Sequence, residues 1–158
     1  MEQKIYLAVS GIRVDDESNS PILLLSNSED SRVMPIWVGS IEAVHIAYAQ
    51  DNITTSRPLT HELLINVIES LDAKVSELCI DNVIENTFHA HLVLQTIDGT
   101  ISIPCRPSDG VSIAIRSSAP ISIYKEIFDS ISVEIIEDDV SIEEFNKFID
   151  NVNPSDFR

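Results

Sequence analysis

The order of apolar runs along this 158-residue chain constrains its fold more tightly than any single motif. Residues 5–14 are rich in β-branched and aromatic side chains with partial alternation, a strand signature that the acidic, polar stretch 15–20 ends. Two shorter apolar runs, 21–25 and 33–38, flank a turn-rich segment and predict a hairpin. A helix is expected after Gly39, with Ser40 as its cap and Ile41, Val44, Ala47 and Tyr48 recurring at helical spacing until Asp51-Asn52. A second helix follows Arg57-Pro58-Leu59-Thr60, with Leu63, Leu64, Val67, Ile68 and Leu71 on one apolar face.

The same grammar returns in the second half. Strands are expected near 74–82, 88–97 and 100–105, the last two joined across the hairpin dipeptide Asp98-Gly99. A helix over 108–117, a short strand over 120–124 and a short helical piece near 125–128 follow. Laying residue i on residue i+67 pairs Ile36 with Ile103, Glu42 with Asp109, Val44 with Val111 and Ala47 with Ala114. The expected fold is α+β, a duplicated three-strand, two-helix unit with a mostly antiparallel sheet. The four glycines form no phosphate-cradling loop, which argues against a P-loop or dinucleotide fold. Residues 1–136 are expected to form the domain, and 137–158 an acidic linker with a C-terminal amphipathic helix. There Ser141-Ile142-Glu143-Glu144 is a capping box ahead of Phe145, Phe148, Ile149 and Val152. Such a helix can dock on its own domain or on a neighbouring subunit.

Charge narrows the function. Twenty-six acidic residues against ten basic ones give a net −16, a field that repels nucleic acid, which binds mainly through Lys and Arg on phosphate. The imbalance is uneven: −5 over residues 1–51, −4 over 52–124 and −7 over 125–158. An anion site is therefore sought between Arg57 and Arg116. No apolar run approaches the ~18 residues of a membrane span, so a soluble, cytoplasmic protein without a membrane partner is expected. Cys79 and Cys105 fit neither a disulfide framework nor a zinc spacing.

Two segments place an Arg-Pro pair at the mouth of a helix: Arg57-Pro58-Leu59-Thr60-His61-Glu62 and Arg106-Pro107-Ser108-Asp109. Free N–H groups and the helix dipole favour an anion there, and an adjacent Arg adds a bidentate donor. The same residues also serve as ordinary helix starts, with Pro in the first turn, Thr60 or Ser108 as caps and Asp109 as a first-turn acid. Glu42, Glu62 and Asp109 are the candidate oxygen ligands for Mg²⁺ or Mn²⁺. Under the duplication, Glu42 and Asp109 occupy equivalent first-turn positions that a pseudo-twofold can bring together. His61, beside an Arg and a Glu, is the candidate general acid or base. His45 reads as structural, and His89 and His91 share one face of a strand, either as an exposed surface or as a metal pair.

These stretches also carry a resemblance. Pro35-Ile36-Trp37-Val38-Gly39 followed by Glu42, then Arg57 to Leu64, Asn86-Thr87-Phe88, Arg106 to Asp109 and Ala119-Pro120-Ile121, in this order, resemble the bifunctional nuclease domain family. The resemblance covers about residues 4–157. It implies an α+β fold from a duplicated unit, homo-oligomeric self-association, and hydrolysis of DNA and RNA without base selectivity. It transfers functional interest to Glu42, Arg57, His61, Glu62, Arg106, Ser108 and Asp109. Members often carry a His two residues after the motif Glu; here Val44 stands there and His45 follows.

The expectation is a metal-assisted nuclease. Arg57, Arg106 and Ser108 bind substrate, Glu42 and Asp109 hold Mg²⁺ or Mn²⁺, and His61, Glu62 and Asp109 carry the chemistry. The alternative is a non-catalytic, homo-oligomeric ligand-binding or protein-interaction domain. The two readings part on whether these residues share one cleft.

Overall fold

A computed structural model of the chain describes residues 3–134. Three strands open it: β1 (Lys4–Val14), β2 (Pro21–Ser26) and β3 (Arg32–Trp37), followed by α1 (Ser40–Gln50) and α2 (Thr60–Ser70). The second half runs β4 (Lys74–Ile84), β5 (Thr87–Thr96), β6 (Gly99–Cys105), α3 (Pro107–Ser117), β7 (Ile121–Tyr124), α4 (Lys125–Ile131) and β8 (Val133–Glu134). The fold is α+β. Residues 135–158, and with them the expected linker and C-terminal helix over 137–158, lie outside the described residues.

The eight strands among the described residues form one sheet in the order β6-β5-β4-β7-β1-β2-β3-β8. Two antiparallel meanders, β1-β2-β3 and β4-β5-β6, are joined by β7, which pairs antiparallel with β1 and parallel with β4. The 67-residue offset recurs in the helices that follow each meander. Here α1 starts at 40 and ends at 50, and α3 starts at 107 and ends at 117. The halves then diverge, because α2 follows α1 directly whereas β7 separates α3 from α4. Edge strand β8, two residues long, pairs with β3 and has too little pattern to be read from sequence.

The turns obey local chemistry. Glu85 and Asn86 both take positive φ in the two-residue connection of β4 to β5, the geometry that matches strand twist in a tight hairpin. In the next hairpin Thr96 pairs with Gly99, whose φ of 124° suits glycine; Ile97 and Asp98 make the loop.

The principal core gathers Leu7, Leu23, Leu25, Met34, Ile46, Leu78, Ile80, Val111, Ile123 and Phe128. A second cluster sets Ile68 of α2 on Leu92, Leu94 and Ile113. The apolar face expected of α2 is buried only in part. Ile68 is 6% exposed, whereas Leu63, Leu64, Val67 and Leu71 are 43–74% exposed. Exposed Ile101 and Ile103 on edge strand β6 lie opposite Leu94 and Leu92, and so share the face on which α2 rests.

Helix α3 fits against β4 because Gly110 faces Leu78. A Cβ built at Gly110 falls inside the envelope of the Leu78 side chain and 3.1 Å from the Cys105 Sγ. Gly110→Ala is expected to destabilise the protein by about 1–3 kcal/mol through overpacking. Urea denaturation measures it as a lowered midpoint with unchanged slope.

Candidate functional site

Helices α1, α2 and α3 begin without a conventional cap, as α4 also does. Gly39, Leu59 and Arg106 hold the cap positions of α1, α2 and α3, and none makes a side-chain cap bond. Ser40, Thr60 and Ser108, the residues expected to cap, lie inside their helices instead. Helices α1, α2 and α3 each carry an acid three residues after the cap position: Glu42, Glu62 and Asp109. A carboxylate there meets the positive end of the helix dipole and can take an unpaired N–H. Glu62 accepts the Leu59 N–H at 2.8 Å, and the Glu42 carboxylate folds back over Gly39, into the space a cap side chain would fill.

The helix starts meet at Arg106. Its guanidinium donates to Asp109 through Nε (2.7 Å to Oδ2) and Nη2 (3.1 Å to Oδ1), and through Nη1 to Glu42 Oε1 at 3.1 Å. The two acids related by the 67-residue offset are thus bridged by one cation. Asp109 Oδ1 also lies 3.1 Å from His61 Nε2, which adds α2 to the cluster. His61 is buried, and its Nδ1 has no hydrogen-bond partner among the described residues. A proton on Nε2, donated to Asp109, leaves only a lone pair unpaired at Nδ1, which costs less than a buried unpaired N–H. Burial raises the Asp109 pKa, but the hydrogen bonds from Arg106 and His61 outweigh it and hold the carboxyl below its usual value.

A second tie lies behind the first. Arg116 donates to the backbone oxygens of Ser112 and His45, each at 3.0 Å, and its Nε stands 4.0 Å from Glu62 Oε1. Burial pushes Arg116 down from the usual arginine value while Glu62 opposes. The His45 ring meets His61 edge to face, with centroids 4.9 Å apart. Burial chiefly, then the charges of His61 and Arg116, lower the His45 pKa. His45 therefore belongs beside the cluster, although its sequence position suggested only a structural role.

Glu42, His61, Arg106 and Asp109 come together. Ser108 is buried and, with Glu42 and Arg106, lines a cleft of about 500 Å³. Glu62 faces another way, committed to Leu59 and Arg116 beside a separate cavity of about 310 Å³. Arg57 is exposed in the α1–α2 connection and makes no ion pair among the described residues. His91 is engaged by Asp81 at 2.5 Å. Among the described residues no group of three or more His, Cys, Asp and Glu gathers at metal-binding distance. Glu42 and Asp109 nevertheless match what Mg²⁺ takes beside a substrate phosphate, one or two carboxylates with the remaining ligands from substrate and water. Arg106 offsets part of the charge of that pair and holds the position a divalent cation would take.

Sequence reasoning missed Trp37, Asn86, Phe88 and Arg116. The first three line the cleft with Arg106 and were visible only as parts of motifs. No helix among the described residues is long and apolar enough to cross a membrane.

Residues 23–136 match the family profile described as Bifunctional nuclease domain. The chain is 36% identical to an uncharacterised protein of Mycobacterium tuberculosis over 95% of this chain and 96% of the other. It is 24% identical to Bifunctional nuclease 2 of Oryza sativa subsp. japonica and 23% identical to Bifunctional nuclease 1 of Arabidopsis thaliana. Each plant match covers 80% of this chain and 40% of the plant protein.

The depressed pKa values of His45 and Asp109 fix the sign of a pH effect. Both groups bind protons more readily unfolded than folded, so their contribution is complete above their unfolded values and is lost as pH falls through the folded ones. Stability is expected to begin falling below about pH 6.5 as His45 charges in the unfolded chain, and to fall again in the carboxylate range. Urea midpoints measured across this range check it, and His45→Gln should flatten the upper step.

Proposed function

Because the chain belongs to the bifunctional nuclease domain family, we propose that it is a nuclease hydrolysing phosphodiester bonds in DNA and RNA without reading their sequence. The observation that carries this reading is the Arg106–Asp109–His61 chain at the edge of a cleft lined by Arg106 and Ser108. Arg106 supplies the phosphate clamp. Its side chain is 66% exposed, free to turn from two carboxylates to an incoming phosphate, and Arg57 meets the strand from the exposed loop before α2.

That turn activates the base. With Arg106 engaged by phosphate, the Asp109 oxygen that it held at 2.7 Å is free to accept a proton from water. Asp109 takes a proton from water as the water oxygen bonds to phosphorus. The bond from phosphorus to the leaving oxygen breaks, and that oxygen takes a proton from solvent. His61 acts from behind: Nε2 faces Asp109 and Nδ1 is buried, so the imidazole orients Asp109 by hydrogen bonding instead of facing substrate itself. Glu62 holds α2 and Arg116 in place. Mg²⁺ or Mn²⁺ on Glu42 and Asp109 would supply positive charge that a −16 chain otherwise lacks at phosphate.

A second reading is favoured by Leu63, Leu64, Val67 and Leu71 on α2 with Ile101 and Ile103 on β6. This exposed apolar strip suits self-association of the chain. Sedimentation of a Val67→Glu, Leu71→Glu variant tests it, with a fall in mass expected and an unchanged mass excluding this strip.

Asp109→Asn is expected to lower kcat by about 10²- to 10⁴-fold on single-stranded DNA and RNA, with purified full chain assayed with added Mn²⁺ and with EDTA. Cleavage equal to the parent would refute the site. Arg106→Gln should raise KM and, by releasing Glu42 and Asp109, tighten Mn²⁺ binding read by titration calorimetry.

A further inference from the structure

The cleft beside Arg106 has a wall that the hydrolytic steps above do not use. Trp37, the last residue of β3 and the one tryptophan in the chain, is 56% exposed at its mouth. Phe88 of β5 packs partly against the core and lines the same cleft, and Asn86 reaches it from the turn between β4 and β5. The Asp15 carboxyl is held below its usual value chiefly by the Ser18 hydroxyl and to a smaller degree by Trp37. More than half of the Trp37 surface stays open.

An exposed indole beside an exposed guanidinium in one cleft suits a ligand with a flat apolar face next to a negative charge. A nucleotide unit of a single strand has both. In a duplex the base faces are covered by their neighbours, and reaching them requires unstacking. The acidity of the chain adds weight to this arrangement. With ten basic residues against twenty-six acidic ones, phosphate contacts alone make a poor grip, and stacking is an attraction that net charge does not oppose.

We propose that Trp37 is a base-stacking platform that selects single-stranded nucleic acid and seats the adjoining phosphate at Arg106. This rests on the nuclease reading and adds the strandedness of the substrate. Any of the four bases offers a stacking face, so the platform confers no sequence preference. Asn86 stands within the cleft to hydrogen-bond a base edge or sugar, while Phe88 forms apolar wall.

Because Trp37 is the single tryptophan, its fluorescence reports the contact directly. The full chain is titrated with a fluorescein-labelled, phosphorothioate-linked oligothymidylate and with a duplex of equal length, following anisotropy and indole emission together. Single strand is expected to quench Trp37 with the midpoint of the anisotropy rise, and duplex to bind more weakly without quenching. Trp37→Ala should weaken strand binding about tenfold or more, and Trp37→Phe should retain most of it. Strand binding with unaltered indole emission, or equal affinity in Trp37→Ala with thermal melting intact, overturns the platform while cleavage by the parent leaves the nuclease reading standing. A parent chain that neither binds nor cuts either probe, nor cuts ordinary DNA or RNA, overturns both.

Discussion

Two helices that begin side by side bring first-turn carboxylates toward one another, and a guanidinium between them offsets their repulsion. Arg106 is that guanidinium, and its place follows from the doubled plan of the chain: α1 and α3 start in matching register, so Glu42 and Asp109 approach as equivalents. One half contributes Gly39 at the cap position and the other contributes Arg106. The asymmetry turns a repeated structural feature into a site, because the glycine leaves room for the Glu42 carboxylate while the arginine supplies the charge between the two acids. His61 can then approach Asp109 from α2, which follows α1 with no strand between them, whereas β7 stands between α3 and α4.

Much of this was legible in the chain. Strand runs, both helix starts after Arg-Pro and the 67-residue offset follow from periodicity and turn chemistry, which act over a few residues. The caps were misread because a serine or threonine beside a helix start normally binds the free N–H groups. Here Glu42, Glu62 and Asp109 stand in the first turn, and Ser40, Thr60 and Ser108 lie within the helices. The sequence places Leu63, Leu64, Val67, Ile68 and Leu71 on one face of α2, but periodicity reveals which residues share a face without revealing whether anything covers it. Ile68 finds Leu92, Leu94 and Ile113, while its apolar neighbours along the helix stay exposed. The parallel contact of β7 with β4, and the meeting of Trp37, Asn86 and Arg106, depend on long-range register that no local pattern encodes.

The net charge argued against nucleic acid, and the geometry refines that argument without removing it. At the candidate site Arg106 and Arg116 offset most of the charge of the three acids, so the overall field and the field a bound phosphate meets are different quantities. Long-range steering of a strand stays unfavourable, whereas contacts at close range can be favourable.

The position of β7 has a consequence for how the chain acquires its shape. Strands β1 and β4 are not neighbours; each reaches the other half through β7, and the β1–β7 ladder pairs residue 4 with residue 124. During synthesis from the N-terminus, the first meander is complete long before the strand that joins it to the second exists. The earlier half waits with β1 as an open edge, a backbone row able to pair with another nascent chain until residues 121–124 emerge. The strand that unites the sheet also ends this period of exposure.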